Sequence, residues 1–150
     1  MKEYVKLNFP DYKFKIRHLG TNYEIFDQVR KKFVKLTPEE WVRQHIIHYM
    51  IDEKKYRPGL ISIERGFMFN ELQKRYDVLV YDRTARPNIL IECKAPTVEI
   101  TQATADQAFV YNKKIKAQYI ILTNGMQTFC LNCIDEDYEI VQNIPKFDPS

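Results

Sequence analysis

Asp77 heads one apolar run, Val78-Leu79-Val80, and Glu92 and Lys94 close another, Ile89-Leu90-Ile91. Residues two apart in a strand share a face, so Glu92 and Lys94 point together while Cys93 points away. A hairpin centred between Thr84 and Ala85 sets Asp77 opposite Glu92. Two carboxylates and an ammonium then meet on otherwise greasy strands, where charge is expensive to bury without pairing or a metal. A carboxylate pair suits Mg²⁺ or Mn²⁺, hard cations that take oxygen ligands and keep waters for a substrate phosphate. The chemistry in outline is phosphodiester hydrolysis. The cation acidifies a water and steadies charge on a phosphoryl oxygen, while Lys94 orients that water or stabilises the developing charge. Spacing alone leaves a second reading equally open: a charged sheet edge closed by a cross-strand salt bridge.

The elements that must position these residues follow from pattern. Tyr12-Lys13-Phe14-Lys15-Ile16-Arg17 alternates with period two, as a half-buried strand does. Gly20-Thr21-Asn22 supplies a turn, and residues 23–26 and 32–35 supply two more strands of a small β-meander. Thr37-Pro38-Glu39-Glu40 opens a helix with a capping Thr and Pro at the first helical position. That helix buries Val42, Ile46, Tyr49 and Met50 and ends near Lys54 or Lys55, before Arg57-Pro58-Gly59. Short strands are expected at 61–65 and 67–69, a longer one at 75–81, and its hairpin partner at 89–94. A helix over 100–116, a strand at 119–122, a tight turn at Asn124-Gly125 and strands at 126–131 and 138–141 complete the chain. The sum is an α+β (α/β) domain around one mixed sheet, with residues 1–36 as a β-rich extension packed on a single unit at 37–150.

Asp77 followed by Glu92-x-Lys94 at the end of an apolar strand resembles the PD-(D/E)xK nuclease signature. The longer string Tyr76-Asp77-Val78-Leu79-Val80-Tyr81 with Leu90-Ile91-Glu92-Cys93-Lys94-Ala95-Pro96 resembles the N-terminal nuclease domain of type I restriction enzyme R subunits. Gln107-x-x-x-Tyr111 and Leu122-Thr123-Asn124-Gly125 are similar to later motifs of that family. The resemblance spans about Thr37 to Leu131, with Tyr76 where the signature's name has Pro. It implies a restriction-endonuclease-like mixed central sheet flanked by helices, Mg²⁺-dependent cutting of DNA with Mn²⁺ as substitute, and restriction-system or helicase subunits as partners. It assigns Asp77, Glu92 and Glu40 to the metal, Lys94 to the water or transition state, and Gln107 to a secondary role. Glu40, the family's usual first-helix acid, is also the third-position member of a capping box. Glu39, its alternative, falls near the Val42 and Ile46 face.

Composition narrows the rest. In 150 residues, 45% apolar and 29% charged, one domain with a real core is expected, and no room remains for a helicase motor. DNA translocation is therefore not expected of this chain alone. No apolar run approaches the roughly 20 residues of a membrane span, and Met-Lys-Glu-Tyr opens no signal peptide, so no membrane role is expected. Three cysteines cannot pair completely, which favours a reducing cytoplasm; Cys130 and Cys133, in C-x-x-C spacing, read as core thiols. His45 and His48 lack a partner carboxylate motif, and no Gly-rich phosphate loop or nucleophile elbow exists. Lys113, Lys114 and Lys116 suit either backbone phosphate or the helix dipole; Arg83 and Arg86 suit DNA or, better, solubility. A net charge of +3 guarantees no tight nucleic-acid binding. Two rivals follow: a binding or scaffolding domain that kept the fold without turnover, and a homodimeric module joined through the Tyr- and Phe-rich meander.

Overall fold

Residues 78–80, 89–91 and 120–122 are buried on both faces, so apolar side chains follow one another without alternation and form neighbouring central strands. The computed structural model describes residues 4–150. Strands β4 (Ile61–Ile63), β7 (Val78–Tyr81), β8 (Pro87–Cys93), β9 (Tyr119–Thr123), β10 (Thr128–Ile134) and β11 (Asp137–Val141) form one mixed sheet, ordered β11-β10-β9-β8-β7-β4. Only β8 and β9 run parallel, joined across one face by helix α2 (Gln102–Ile115). Helix α1 (Pro38–Asp52) covers the other face. Val42, Ile46, Ile47 and Met50 pack there on Val78, Val80, Ile89 and Ile91, while Ala105 and Ala108 pack on Leu79, Leu90, Ile120 and Leu122. The architecture is the expected α+β one.

Strands β1 (Ile16–Leu19), β2 (Asn22–Asp27) and β3 (Lys32–Lys35) form the expected antiparallel meander. Its first strand begins at Ile16 rather than Tyr12. The period-two pattern persists upstream, but Tyr12 and Phe14 spend their rings on His48, His45 and Trp41 of α1 instead of a strand partner. Further upstream, Leu7 is buried in the α1-side core, and the Asn8 amide donates to the Gly125 carbonyl at 2.7 Å.

The segment before Asp77 differs most from the pattern reading. A separate two-stranded hairpin stands there, β5 (Gly66–Phe69) paired with β6 (Leu72–Arg75). Asn70 and Glu71 both take positive φ at its tip, +48° and +63°, as a type I′ turn requires, with no glycine to announce it. Tyr76 and Asp77 are thus a junction and not the start of one long strand. The second helix is shorter than expected, capped by Thr101 and ended by Lys116 in the left-handed region at φ 66°. Cys130 and Cys133, three apart, serve opposite faces of β10, each a free core thiol.

Gly125 sits at φ +85°, and a Cβ there would meet Leu7 Cδ2 at 2.7 Å. Gly125→Ala is expected to cost about 1–3 kcal/mol through backbone strain and displacement of Leu7. Urea unfolding would show this as a lower midpoint with an unchanged slope.

Candidate active site

The β7–β8 register pairs Val78 with Ile91, Leu79 with Leu90 and Val80 with Ile89. One step further brings Asp77 to Glu92, as the hairpin spacing predicts, although the turn side carries a bulge between Val80 and Tyr81. Asp77 is fixed from two sides. Its Oδ2 accepts the Cys93 backbone N–H at 2.7 Å, and its Oδ1 lies 4.0 Å from Arg43 Nη1. Glu92 is mostly buried beside it. Burial, then the negative charge of Asp77 and a hydrogen bond shared with it, raise the Glu92 carboxyl from 4.5 to about 9, with Lys94 opposing. Two carboxylates crowd one desolvated corner, and the raised Glu92 carboxyl is the consequence.

Lys94 follows on the Glu92 face, its backbone N–H tied to the Thr123 carbonyl at 2.8 Å. Glu92, Lys94, Thr104, Gln107, Ala108 and Tyr111 line a cleft of about 110 Å³ between β8 and α2. Gln107 Nε2 donates to the Tyr111 hydroxyl at 3.1 Å, so this helical pair is one unit at the cleft wall. The Thr123-Asn124-Gly125 string closes the β9 end. Asn124 Oδ1 accepts the Met126 and Gln127 N–H groups, and its Nδ2 donates to the Val98 carbonyl, which ties down the chain after Lys94.

The two first-helix acids separate by direction. Glu40 is 4% exposed. Its carboxylate receives Arg30 Nη2 on both oxygens at 3.0 Å and Gln44 Nε2 at 3.0 Å, with Arg43 Nε at 3.2 Å. Only half of the expected capping box forms: the Glu40 N–H donates to Thr37 Oγ1, while the Glu40 carboxylate is taken by the arginines instead of the Thr37 N–H. Glu40 is therefore spent on a buried ion cluster. Glu39, exposed at the surface, faces the other way. Partial burial and then the charge of Asp77 hold its carboxyl above the ordinary range, against Arg43 and Lys94. The charges of Asp77 and Lys94 thus act on the Glu39 carboxyl, while the Glu40 carboxylate is held by Arg30, Arg43 and Gln44.

Arg43 is the residue that sequence reasoning missed. It is buried, its Nη1 has no hydrogen-bond partner, and it links Glu40, Glu64 (3.0 Å) and Asp77. The available signal was its place one turn beyond Glu39 and Glu40. Arg83 and Arg86 lie in the turn at the opposite end of β7 and β8 from Asp77 and Glu92, far from the cleft. His45 is held in an aromatic cluster, its Nδ1 against the Trp41 carbonyl at 2.8 Å, and burial keeps its pKa low.

Among the described residues, no three His, Cys, Asp or Glu side chains gather into a metal cage. Asp77 and Glu92 offer a two-carboxylate oxygen donor set of the kind that suits a hard divalent cation that retains waters. No helix among the described residues is long and apolar enough to cross a membrane.

A family model described as the type I restriction enzyme R protein N terminus matches residues 38–145. Among solved structures, a fragment of a putative HsdR subunit of a type I restriction enzyme from Vibrio vulnificus YJ016 is similar in fold, with a TM-score of 0.54 at 18% identity. The similarity covers 74% of this chain and 24% of that one, so this chain spans about a quarter of that fragment. No curated protein matches the sequence.

The shared charge of Asp77 and Glu92 has a measurable consequence. Because the folded-state pKa of Glu92 is raised, the native chain keeps a proton that the unfolded chain loses between about pH 4.5 and 9, and stability falls as pH rises through that window. In metal-free buffer, the stability advantage of Glu92→Gln over wild type is expected to widen from about pH 5 to 9. Parallel pH profiles for the two proteins would refute the crowding of these carboxylates.

Proposed function

The chain belongs to the family of type I restriction enzyme R protein N termini, and from that premise we propose that it is a PD-(D/E)xK-type DNA endonuclease domain dependent on Mg²⁺, with Mn²⁺ as substitute. The observation that carries this reading is the meeting of Asp77 and Glu92 across one strand pair, with Lys94 on the Glu92 face. Asp77 and Glu92 would hold the cation, and Glu39, whose carboxyl responds to the charge of Asp77, would be the third acid to assist there. When bound there, the cation supplies a lowered pKa for water and neutralises charge on a phosphoryl oxygen.

The protein's own groups do the remainder. The Cys93 N–H and Arg43 fix Asp77, so its carboxylate is oriented before substrate arrives. Lys94 presents an ammonium at the cleft, where it steadies the attacking water or the negative charge that grows on the phosphate. Gln107, braced by Tyr111, presents an amide to the same cleft. Hydrolysis joins the water oxygen to phosphorus as the bond to the leaving oxygen breaks, and the leaving oxygen takes up a proton. DNA is the substrate, and other restriction-system subunits, including a helicase, are the partners that add translocation. The N-terminal meander and residues 37–150 act as one unit in the cytoplasm.

Cleavage of supercoiled and linear DNA in Mg²⁺ and Mn²⁺ tests this. Metal-dependent cutting is expected, reduced at least about 100-fold by Glu92→Ala and by Lys94→Ala. Glu39→Gln should lose cutting with an unchanged melting temperature, whereas Glu40→Gln should lower the melting temperature by breaking the buried cluster. A wild-type protein whose melting temperature does not respond to metal, just as Asp77→Ala would not, overturns the proposal.

A further inference from the structure

The β5–β6 hairpin leaves the main sheet directly before Asp77. Its base is closed by the Tyr76 N–H on the Arg65 carbonyl at 3.1 Å and the Glu64 N–H on the Asp77 carbonyl at 3.0 Å. One face of the hairpin lies over α2. Phe67 and Phe69 meet the Tyr111 ring edge-on, with centroids 6.0 and 5.0 Å away. On the same face, Lys74 pairs with Phe67 across the strands and holds its ammonium 5.9 Å from the Tyr111 ring. Tyr111 is also the hydroxyl that receives Gln107 at the wall of the cleft holding Glu92 and Lys94. The hairpin therefore carries a half-buried lysine to the rim of the candidate active site.

The three lysines near the end of α2 do not share a direction. Lys113 is paired with Glu136 at 3.8 Å and lies 5.7 Å from the Phe109 ring. Lys116 is the left-handed residue that ends the helix. Lys114 is exposed, three residues beyond Tyr111 and seven beyond Gln107, which places it within about 20° of the Gln107 stripe and ~10 Å along the helix axis. Measured along a duplex axis, that length spans about three nucleotides at 3.4 Å of rise each. Among the described residues, neither Lys74 nor Lys114 has a carboxylate within ion-pair distance.

We propose that α2 and the β5–β6 hairpin form the track of the cut DNA strand, with its backbone running from Glu92 and Lys94 past Gln107 and Tyr111, and with Lys74 and Lys114 each holding a phosphate. This rests on the nuclease reading, and it names the surface and the substrate group that the reading leaves unassigned. Unpaired cations on either side of Tyr111 match the phosphates' charge, and the aromatic anchor keeps the hairpin over the helix.

Equilibrium binding of a fluorescein-labelled DNA duplex by the full chain in Mg²⁺ tests the track, in a Lys94→Ala background that leaves the duplex uncut. The slope of log affinity against log salt is expected to shrink by about 1 for Lys74→Gln and by about 1 for Lys114→Gln. Lys74→Arg should restore the slope, and Lys113→Gln should leave it unchanged. Unchanged slopes for both Lys74→Gln and Lys114→Gln, with wild type still cutting DNA in metal, overturn the track and leave the nuclease reading intact. No binding by this background, together with no cutting and no metal response by wild type, overturns both.

Discussion

Two carboxylates at the end of strands buried on both faces are the constraint around which this molecule is arranged. Asp77 and Glu92 stand where the sheet interior gives way to the surface, too close to both ionise at ordinary pH without compensation. Such a pair destabilises the fold that carries it. Their juxtaposition depends on one register. A slip of one residue between β7 and β8 would exchange the faces of Leu79 and Val80 and of Leu90 and Ile91, each already committed to a different helix. The hydrophobic core therefore enforces the electrostatic conflict, and sites of this kind are where protein stability is set aside for chemistry.

Opposing that conflict is a buried ion cluster that runs from the meander to the site. Asp27, fully buried, accepts Arg30 Nε at 2.7 Å and the Val29 and Arg30 N–H groups. These hydrogen bonds outweigh burial and keep its carboxyl below the usual range. Arg30 passes to Glu40, Glu40 to Arg43, and Arg43 to Asp77. An isolated buried pair gains little over apolar packing; here the acids are well bonded, while Arg43 Nε and Nη1 and Gln44 Oε1 are left without a hydrogen-bond partner. Here the members come from β2 and its turn, the first turns of α1, and the head of β7. The small N-terminal sheet is thereby linked electrostatically to the orientation of Asp77.

The register of the central hairpin, the cap at Thr37, the two helices and the meander were all legible in the sequence, because each rests on local pattern: continuous apolar runs, a capping Thr before Pro, period-two alternation. What was not legible depends on tertiary partners. Tyr12 and Phe14 alternate like a strand, yet their rings are claimed by α1. The β5–β6 turn takes positive φ at Asn70 and Glu71, where the sequence has no glycine to mark it. Glu39 and Glu40 are adjacent in sequence, and the resemblance points to Glu40 as the site acid. Arg30, reaching in from the meander, with Arg43 and Gln44 holds Glu40 in the ion cluster, while the charges of Asp77 and Lys94 act on Glu39. Arg43 went unread for the same reason, since a buried arginine is recognisable only by the acids around it.

The modest net charge of +3 then takes on a different meaning. Overall charge governs long-range attraction, which salt screens over about 10 Å, but the placing of a phosphate is decided within a few ångströms. In this fold several cations are paired with the chain's own acids: Arg30 and Arg43 in the buried cluster, Arg17 with Glu24 and Lys113 with Glu136 at the surface. Those left unpaired near the cleft therefore weigh more than their number suggests. On the proposed track a cation and Lys94 would offset the two carboxylates, and Lys74, 5.9 Å from the Tyr111 ring, would meet the strand's phosphates. Such placing depends on where a few lysines stand in the fold, which composition alone does not reveal.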